Sequence, residues 1–205
     1  MSLQICVISG SQRKNSNSLK VSKLVQNHFK NNPEYSEPSL VNLERQELPL
    51  WDDSMWKPES KLQNIWKPYG DLLSASDGVV IVTPEWSGMV PAALKNFFLY
   101  CSGEQLAHKP GLIISISSGM GGSYPVQELR SSSYKNTRIN YVPDHVIIRH
   151  VGQFLSEFED PKSEAINSLK KRFFYNLDIL GVYAKSFRDI RKSPLINLKE
   201  FPFGP

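Results

Sequence analysis

The sequence predicts an α/β fold of three layers, a five-stranded parallel sheet in the order 2-1-3-4-5 with helices on both faces. Three observations carry this. The runs Ile5–Ile8, Val79–Val82 and Leu112–Ile116 are rich in Val and Ile, lack a helical period and end at Ser or Thr. Runs of that kind are strands buried on both faces, as in a parallel sheet. Stretches with apolar residues at spacings of three and four alternate with them, the pattern of a doubly wound sheet. Right-handed crossovers then leave few topologies.

Each element has its own warrant. Two weaker strands are read at Ser39–Leu43 and His145–His150, the latter for its Val146-Ile147-Ile148 core. Val21, Leu24, Val25 and Phe29 mark the first helix. Leu62, Ile65, Trp66, Tyr69, Leu72 and Leu73 mark a second, which Pro68 should kink or divide. Leu94, Phe97, Phe98 and Cys101 follow Pro91, which suits a first helical turn because its missing N–H is unpaired there anyway. A further helix is expected after Gly122, through Val126, Leu129 and Arg130. Ile166, Leu169, Phe173, Leu177 and Leu180 mark a long last helix. Asp160-Pro161 is its expected start, and Gly181 either ends it or lies within it. Such a sheet, of flavodoxin-like order, binds ligands beyond the carboxyl ends of its strands, near the switch point.

Composition narrows the class. With 40% hydrophobic and 21% charged residues the chain is globular. It carries 24 basic and 20 acidic residues, a net charge of +4, which favours an anionic ligand such as a nucleotide phosphate. Its basic clusters, Lys170-Lys171-Arg172 and Arg188–Lys192, lack interleaved stacking aromatics and read as solvated helix faces, so no nucleic-acid partner is expected. Cys6 and Cys101 fall on an apolar strand and an apolar helix stripe, as core residues of a reducing, cytoplasmic setting. The opening Met1–Ser9 lacks a signal-peptide pattern, no apolar run is long enough to span a membrane, and the histidines show no metal-ligand spacing.

Three unusual loops fall at one edge of the expected sheet. After the first strand comes Gly10-Ser11-Gln12-Arg13-Lys14-Asn15-Ser16-Asn17-Ser18, rich in hydroxyls and leading into a helix N-terminus. That combination suits a phosphate monoester. It is neither a Walker loop nor a dinucleotide fingerprint. After the third strand comes Thr83-Pro84-Glu85-Trp86-Ser87-Gly88-Met89-Val90-Pro91, stiffened by prolines. Gly88 permits close backbone approach, and Trp86 can flank a flat ring. After the fourth comes Ser117-Ser118-Gly119-Met120-Gly121-Gly122-Ser123, whose glycines suggest a backbone close to a ligand.

These loops resemble the NADPH-dependent FMN reductase family, which includes flavin, azo, quinone and chromate reductases. Gly10, Ser11, Arg13 and Ser16 match its Gly-Ser-x-Arg-x-x-Ser motif. The run from Thr83 to Asn96 matches Thr-Pro-Glu-Tyr-Asn-x-x-x-Pro-x-x-Leu-Lys-Asn, with Trp86 and Ser87 in place of tyrosine and asparagine. Leu48-Pro49-Leu50-Trp51-Asp52 is similar to a further family stretch, and the third loop is one residue shorter than its counterpart. The resemblance implies that Ser11, Arg13, Ser16 and Ser18 hold the FMN phosphate. It implies that Pro84, Glu85, Trp86, Ser87 and Gly88 border the isoalloxazine, and that Ser117, Gly119 and Gly122 close the other side.

By the same resemblance, hydride passes from NADPH or NADH to N5 of FMN and on to a flavin, quinone, azo or similar small-molecule acceptor. The flavin carries the chemistry, so no catalytic side chain is assigned. A flavodoxin-type electron carrier and a non-redox FMN-binding protein are the alternatives. The basic charge and Ser11-Gln12-Arg13 argue against a carrier, and the intact phosphate loop against the second. Residues 1–185 should form the FMN-binding domain and residues 186–205 an extended tail. Trp51, Trp56 and Met89 would suit the interface of a homodimer or homotetramer.

Overall fold

The structure, a computed structural model, describes residues 2–45 and 48–204, so Met1 of the opening segment and Pro205 of the tail lie outside the described residues. In chain order the elements are β1 (Ile5–Ser9), α1 (Asn17–Lys30), β2 (Ser39–Asn42), α2 (Lys61–Ala75), β3 (Gly78–Pro84), α3 (Ala92–Tyr100), α4 (Gly103–Leu106) and β4 (Pro110–Ile116). They are followed by α5 (Ser123–Ser132), β5 (Asn140–Tyr141), β6 (Val146–Ile148), α6 (Val151–Ser156) and α7 (Glu164–Arg191). All pairings in the sheet are parallel, in the order β2-β1-β3-β4-β5, with β6 also on β4.

Strand alternation sorts the core into two layers. Ile5, Val7, Val80, Val82, Leu112, Ile114 and Ile116 pack with α1, α6 and α7. Cys6, Ile8, Val79, Ile81 and Ile113 pack with α2, α3, α4 and α5. Successive side chains of a strand point to opposite faces, so each central strand feeds both layers and reads as one continuous apolar run.

The fifth strand is where sequence and structure part. The expected strand at His145–His150 is the short β6, paired through Val146–Ile148 to Ile114–Ile116. A separate piece, Asn140–Tyr141, pairs with Pro110–Gly111 at the other end of β4. Between the pieces the chain bulges around Pro143, which cannot donate to a ladder. Arg130 secures the bulge, its Nη2 donating to the carbonyls of Val142 at 2.6 Å and Pro143 at 3.0 Å.

Two helix expectations are corrected and one is narrowed. α2 is a single helix through Pro68, not two pieces. Asn64, whose carbonyl loses its partner to the proline, is exposed, so water can satisfy it. On the same helix Ile65 and Leu72 face outward. α7 starts after Ser163, whose side chain accepts from Ile166 N–H at 3.3 Å, and not at Asp160-Pro161. It then runs through Gly181 and past Ser186 to Arg191, so the non-helical tail begins later than residue 186. Gly181 is required there by the Tyr35 hydroxyl, which occupies the place a Cβ would take.

The end of the sheet opposite the strand carboxyl termini is fastened by charge. Asp77 accepts from Gln4 N–H at 2.9 Å, Arg188 Nε at 2.8 Å and Arg191 Nη2 at 2.8 Å. Burial opposes its ionisation, but the hydrogen bonds from Arg188 and Gln4 and the charges of Arg188 and Arg191 outweigh it and hold the carboxyl below its usual range. Nearby, Lys109 Nζ caps α2 by donating to the carbonyls of Leu73 at 2.6 Å and Ser74 at 2.8 Å. Burial, with the neighbouring Arg191, pushes its pKa down to about 8.

Candidate functional site

The three loops meet at the carboxyl ends of β1, β3 and β4 around one cleft. The first loop ends in the cap of α1, where Ser16 Oγ accepts from Leu19 N–H at 3.1 Å. That bond leaves the N–H groups of Asn17 and Ser18 without a protein partner among the described residues. They are the unsatisfied donors of a helix N-terminus, which attracts anions. Ser11 is buried and its Oγ accepts from Arg13 N–H at 3.3 Å, which curls the loop. Glu44 steadies it from β2's side by accepting from Asn15 N–H at 3.2 Å. Gly10 is set by packing, since a Cβ there would stand 2.7 Å from Leu94 Cδ2.

The second loop is a tight hairpin. Trp86 and Met89 exchange backbone hydrogen bonds at 3.0 and 2.9 Å. Ser87 and Gly88 between them take φ of +51° and +72°, the two left-handed positions of a type I′ turn. Trp86's own backbone groups are therefore engaged with Met89, and Ser87 and Gly88 lie exposed at the tip. Glu128 braces the hairpin, its Oε2 accepting from Val90 N–H at 2.7 Å while Lys95 pairs with Oε1.

The third loop is held by its neighbours. Ser117 N–H donates to the Ile148 carbonyl at 2.9 Å, and Gly119 N–H to Ser117 Oγ at 3.2 Å. Gly122, at φ +115°, donates its N–H to Glu85 Oε2 at 2.7 Å. A Cβ on Gly121 would meet the Glu85 carboxylate, and one on Gly122 would stand 2.6 Å from Ile147 Cγ2. Two of the loop's glycines thus answer to packing against Glu85 and β6, where the sequence suggested a backbone close to a ligand. Gly119, with nothing within 4 Å of a Cβ, remains open to a ligand.

Of the residues singled out from sequence, Ser11, Arg13, Ser16, Ser18, Pro84, Glu85, Trp86 and Ser117 line the cleft together. Ser87, Gly88, Gly119 and Gly122 do not line it; Gly88 and Gly122 shape the loops that do. Lys14, Asn15, Asn17, Ser118, Ile116 and Val151 line it as well. Lys14, Asn15 and Asn17 were within reach of sequence reasoning, as neighbours of the singled-out serines. Val151 was not, because only the fold brings α6 to this edge.

The residues fit a phosphate monoester attached to a flat ring. Ser18 is 1% exposed, and its Oγ, at the α1 N-terminus, has no hydrogen-bond partner among the described residues. A buried hydroxyl left unpaired costs free energy, and a phosphate oxygen in the cleft would satisfy it. Ser11, Arg13 and the N–H groups of Asn17 and Ser18 complete an FMN-type phosphate cradle. Pro84, Glu85 and Trp86 line the cleft beside it, and the indole offers an aromatic face. Among the described residues no group of three or more His, Cys, Asp or Glu could hold a metal ion, and no helix is long and apolar enough to cross a membrane. His28 is occupied elsewhere, with Nε2 2.9 Å from Asp178 Oδ1.

Comparison with known proteins bears on the family and the fold. The chain is 25% identical over 190 residues to an NADPH azoreductase of Bacillus sp. (strain OY1-2), covering 93% of this chain and 97% of that protein. It is 31% identical over 124 residues to a quinone reductase of Pseudomonas putida, covering 58% of this chain and 63% of that protein. Among solved structures, an oxidoreductase from Corynebacterium diphtheriae superposes with a TM-score of 0.69 at 18% identity, over 90% of this chain and 98% of its own. A flavoenzyme NAD(P)H:(acceptor) oxidoreductase from Paracoccus denitrificans does so with a TM-score of 0.67 at 19% identity, over the same shares. Both share the flavodoxin-like fold. The sequence profile of the NADPH-dependent FMN reductases matches residues 3–153, the segment that contains all three loops. The chain therefore belongs to the NADPH-dependent FMN reductase family, and it is an oxidoreductase of that family.

Proposed function

We propose that this protein binds FMN in the cleft, takes reducing equivalents from NAD(P)H and passes them to a small quinone, azo or flavin acceptor. FMN, when bound, supplies the hydride chemistry. The chain's residues bind and orient it. Ser11, Arg13, Ser16 and Ser18 would hold the phosphate, the α1 N-terminus contributing its partial positive charge. Pro84, Glu85, Trp86, Ser87 and Gly88 would border the ring, with Ser117, Gly119 and Gly122 on its other side. The single observation that carries the reading is the buried, unpaired Ser18 hydroxyl at that helix N-terminus.

The cleft encloses about 220 Å³. That is less than the roughly 300–1,000 Å³ of sites that bury a ligand. An FMN anchored here therefore leaves ring surface outside the cleft, either for a second substrate or for a neighbouring subunit to cover. Trp56 at 69%, Leu99 at 61% and Met89 at 50% exposure support a homodimer. Trp51 sits edge-on to Trp56, their ring centroids 5.0 Å apart, on the α2 side. A cytoplasmic setting is proposed with it, on the strength of two buried, unbridged cysteines.

The test is an absorbance spectrum of the protein with added FMN, then with NADPH and NADH without oxygen. Uptake of FMN with bleaching by either nucleotide supports the proposal. Absence of FMN uptake sinks it.

A further inference from the structure

Two basic pairs flank the cleft, and one phosphate accounts for only one of them. Arg13 and Lys14 stand after β1. Arg149 and His150 stand after β6, where they lead into α6. In the sheet order β1-β3-β4-β6 the two pairs are three strand spacings apart. At about 4.8 Å per spacing that is roughly 14 Å, too far for a single phosphate to touch both.

The second pair does not line the cleft but is tied to the third loop beside it, next to Val151, which does. His150 N–H donates to the Gly119 carbonyl at 3.0 Å, and Val151 N–H to the Ser117 carbonyl at 3.0 Å. His150 holds a left-handed φ of +46°, a conformation that a non-glycine residue keeps only when its surroundings enforce it. Its Nε2 lies 3.0 Å from Met120 Sδ. Arg149 is exposed, and its Nε donates to the Met120 carbonyl at 2.6 Å. This one bond fixes the side chain over the third loop and leaves both terminal amino groups of the guanidinium without a protein partner among the described residues. Among the described residues no ion pair joins Arg149 to a carboxylate.

A planar guanidinium with two unused donors matches phosphate oxygens. The phosphate that separates NADPH from NADH is the 2′-phosphate of the adenosine. We propose that Arg149, with His150 beside it, is the residue that reads this 2′-phosphate and sets the preference for NADPH. The inference rests on the function proposed above and assigns its donor specificity.

The test uses the full-length protein with FMN added and two probes that lack the nicotinamide, 2′,5′-ADP and 5′-AMP. Calorimetric titration of the unaltered protein should show the first binding at least about tenfold tighter than the second. Arg149→Gln should abolish that difference and Arg149→Lys should retain part of it. The ratio of kcat/KM for NADPH over NADH should fall by about tenfold in Arg149→Gln. Equal affinity for the two probes in the unaltered protein, or an undiminished difference in Arg149→Gln, overturns the proposal. FMN uptake is read by flavin fluorescence on the same samples. A protein that takes up no FMN yet shows an Arg149-dependent preference for 2′,5′-ADP keeps the 2′-phosphate site and loses the flavin reading.

Discussion

Glu85 and Gly122 are joined across the cleft's two inner loops, Oε2 accepting from the glycine N–H at 2.7 Å. The carboxylate also sits where a Cβ of Gly121 would be. One side chain of the β3 loop therefore fixes the shape of the β4 loop. Glu85→Ala should lower stability by about 1–2 kcal/mol, the value of a charge-assisted hydrogen bond in a half-buried place. FMN affinity should fall by about tenfold, because the loops are no longer held in register. Thermal unfolding and flavin fluorescence titration check the two effects. An Ala variant that binds FMN as tightly as the unaltered protein would show that the loops hold their shape without this bond.

Ser18→Ala should act with opposite signs on the two states of the protein. Without ligand it removes a buried hydroxyl that has no partner, and it should raise stability by up to about 1 kcal/mol. With FMN it removes a phosphate contact and should weaken binding by about tenfold. Denaturant unfolding with and without FMN separates the two. A loss of stability in the ligand-free protein would mean that Ser18 already has a partner.

Gly181→Ala should destabilise, although alanine in a helix interior is ordinarily favoured by roughly 0.8–1.0 kcal/mol. The new methyl meets the Tyr35 hydroxyl, with the ring carbon Cζ at 3.1 Å behind it. The overpacking should cost about 2 kcal/mol net. Tyr35→Phe in the same chain should recover part of that, because it removes the nearest atom. A double-mutant cycle of melting temperatures measures the coupling.

Asp77→Asn should lower stability at neutral pH by about 2 kcal/mol, leaving Arg188 and Arg191 facing an uncharged partner. The folded pKa of Asp77 lies below its unfolded value of about 3.9. Its contribution is therefore complete above that pH and is lost as pH falls from about 4 through the folded value. The unaltered protein should weaken in that window by more than Asp77→Asn does. Urea midpoints measured between pH 3 and 7 give the comparison. Parallel curves for the two proteins would show that Asp77 carries no such linkage.

The central strands were readable because burial on both faces leaves a run such as Val79–Val82 with no polar member. The split outer strand was not. Asn140–Tyr141 is too short to show a period, and the Arg130 clamp on the bulge is a contact only the fold creates. The start of α7 is not legible because Asp160-Pro161 has the right chemistry for a helix start, while Ser163 makes the actual cap. In the site, the hydroxyls and the aromatic residue were readable as ligand groups. The glycines carry no such distinction in sequence, since Gly121 and Gly122 answer to Glu85 and Ile147 and Gly119 to open space. Arg149 and His150 carry no local signal, and only the sheet order brings them beside the cleft.

The broken outer strand also governs how the protein meets other chains. An unbroken edge offers a row of unpaired amides and carbonyls on which a foreign strand can grow. Here that border is two residues, then a bulge containing a proline, then three residues. No stretch of it is long enough to template a ladder, so the same irregularity that hid the strand from the sequence guards this edge of the sheet against strand addition.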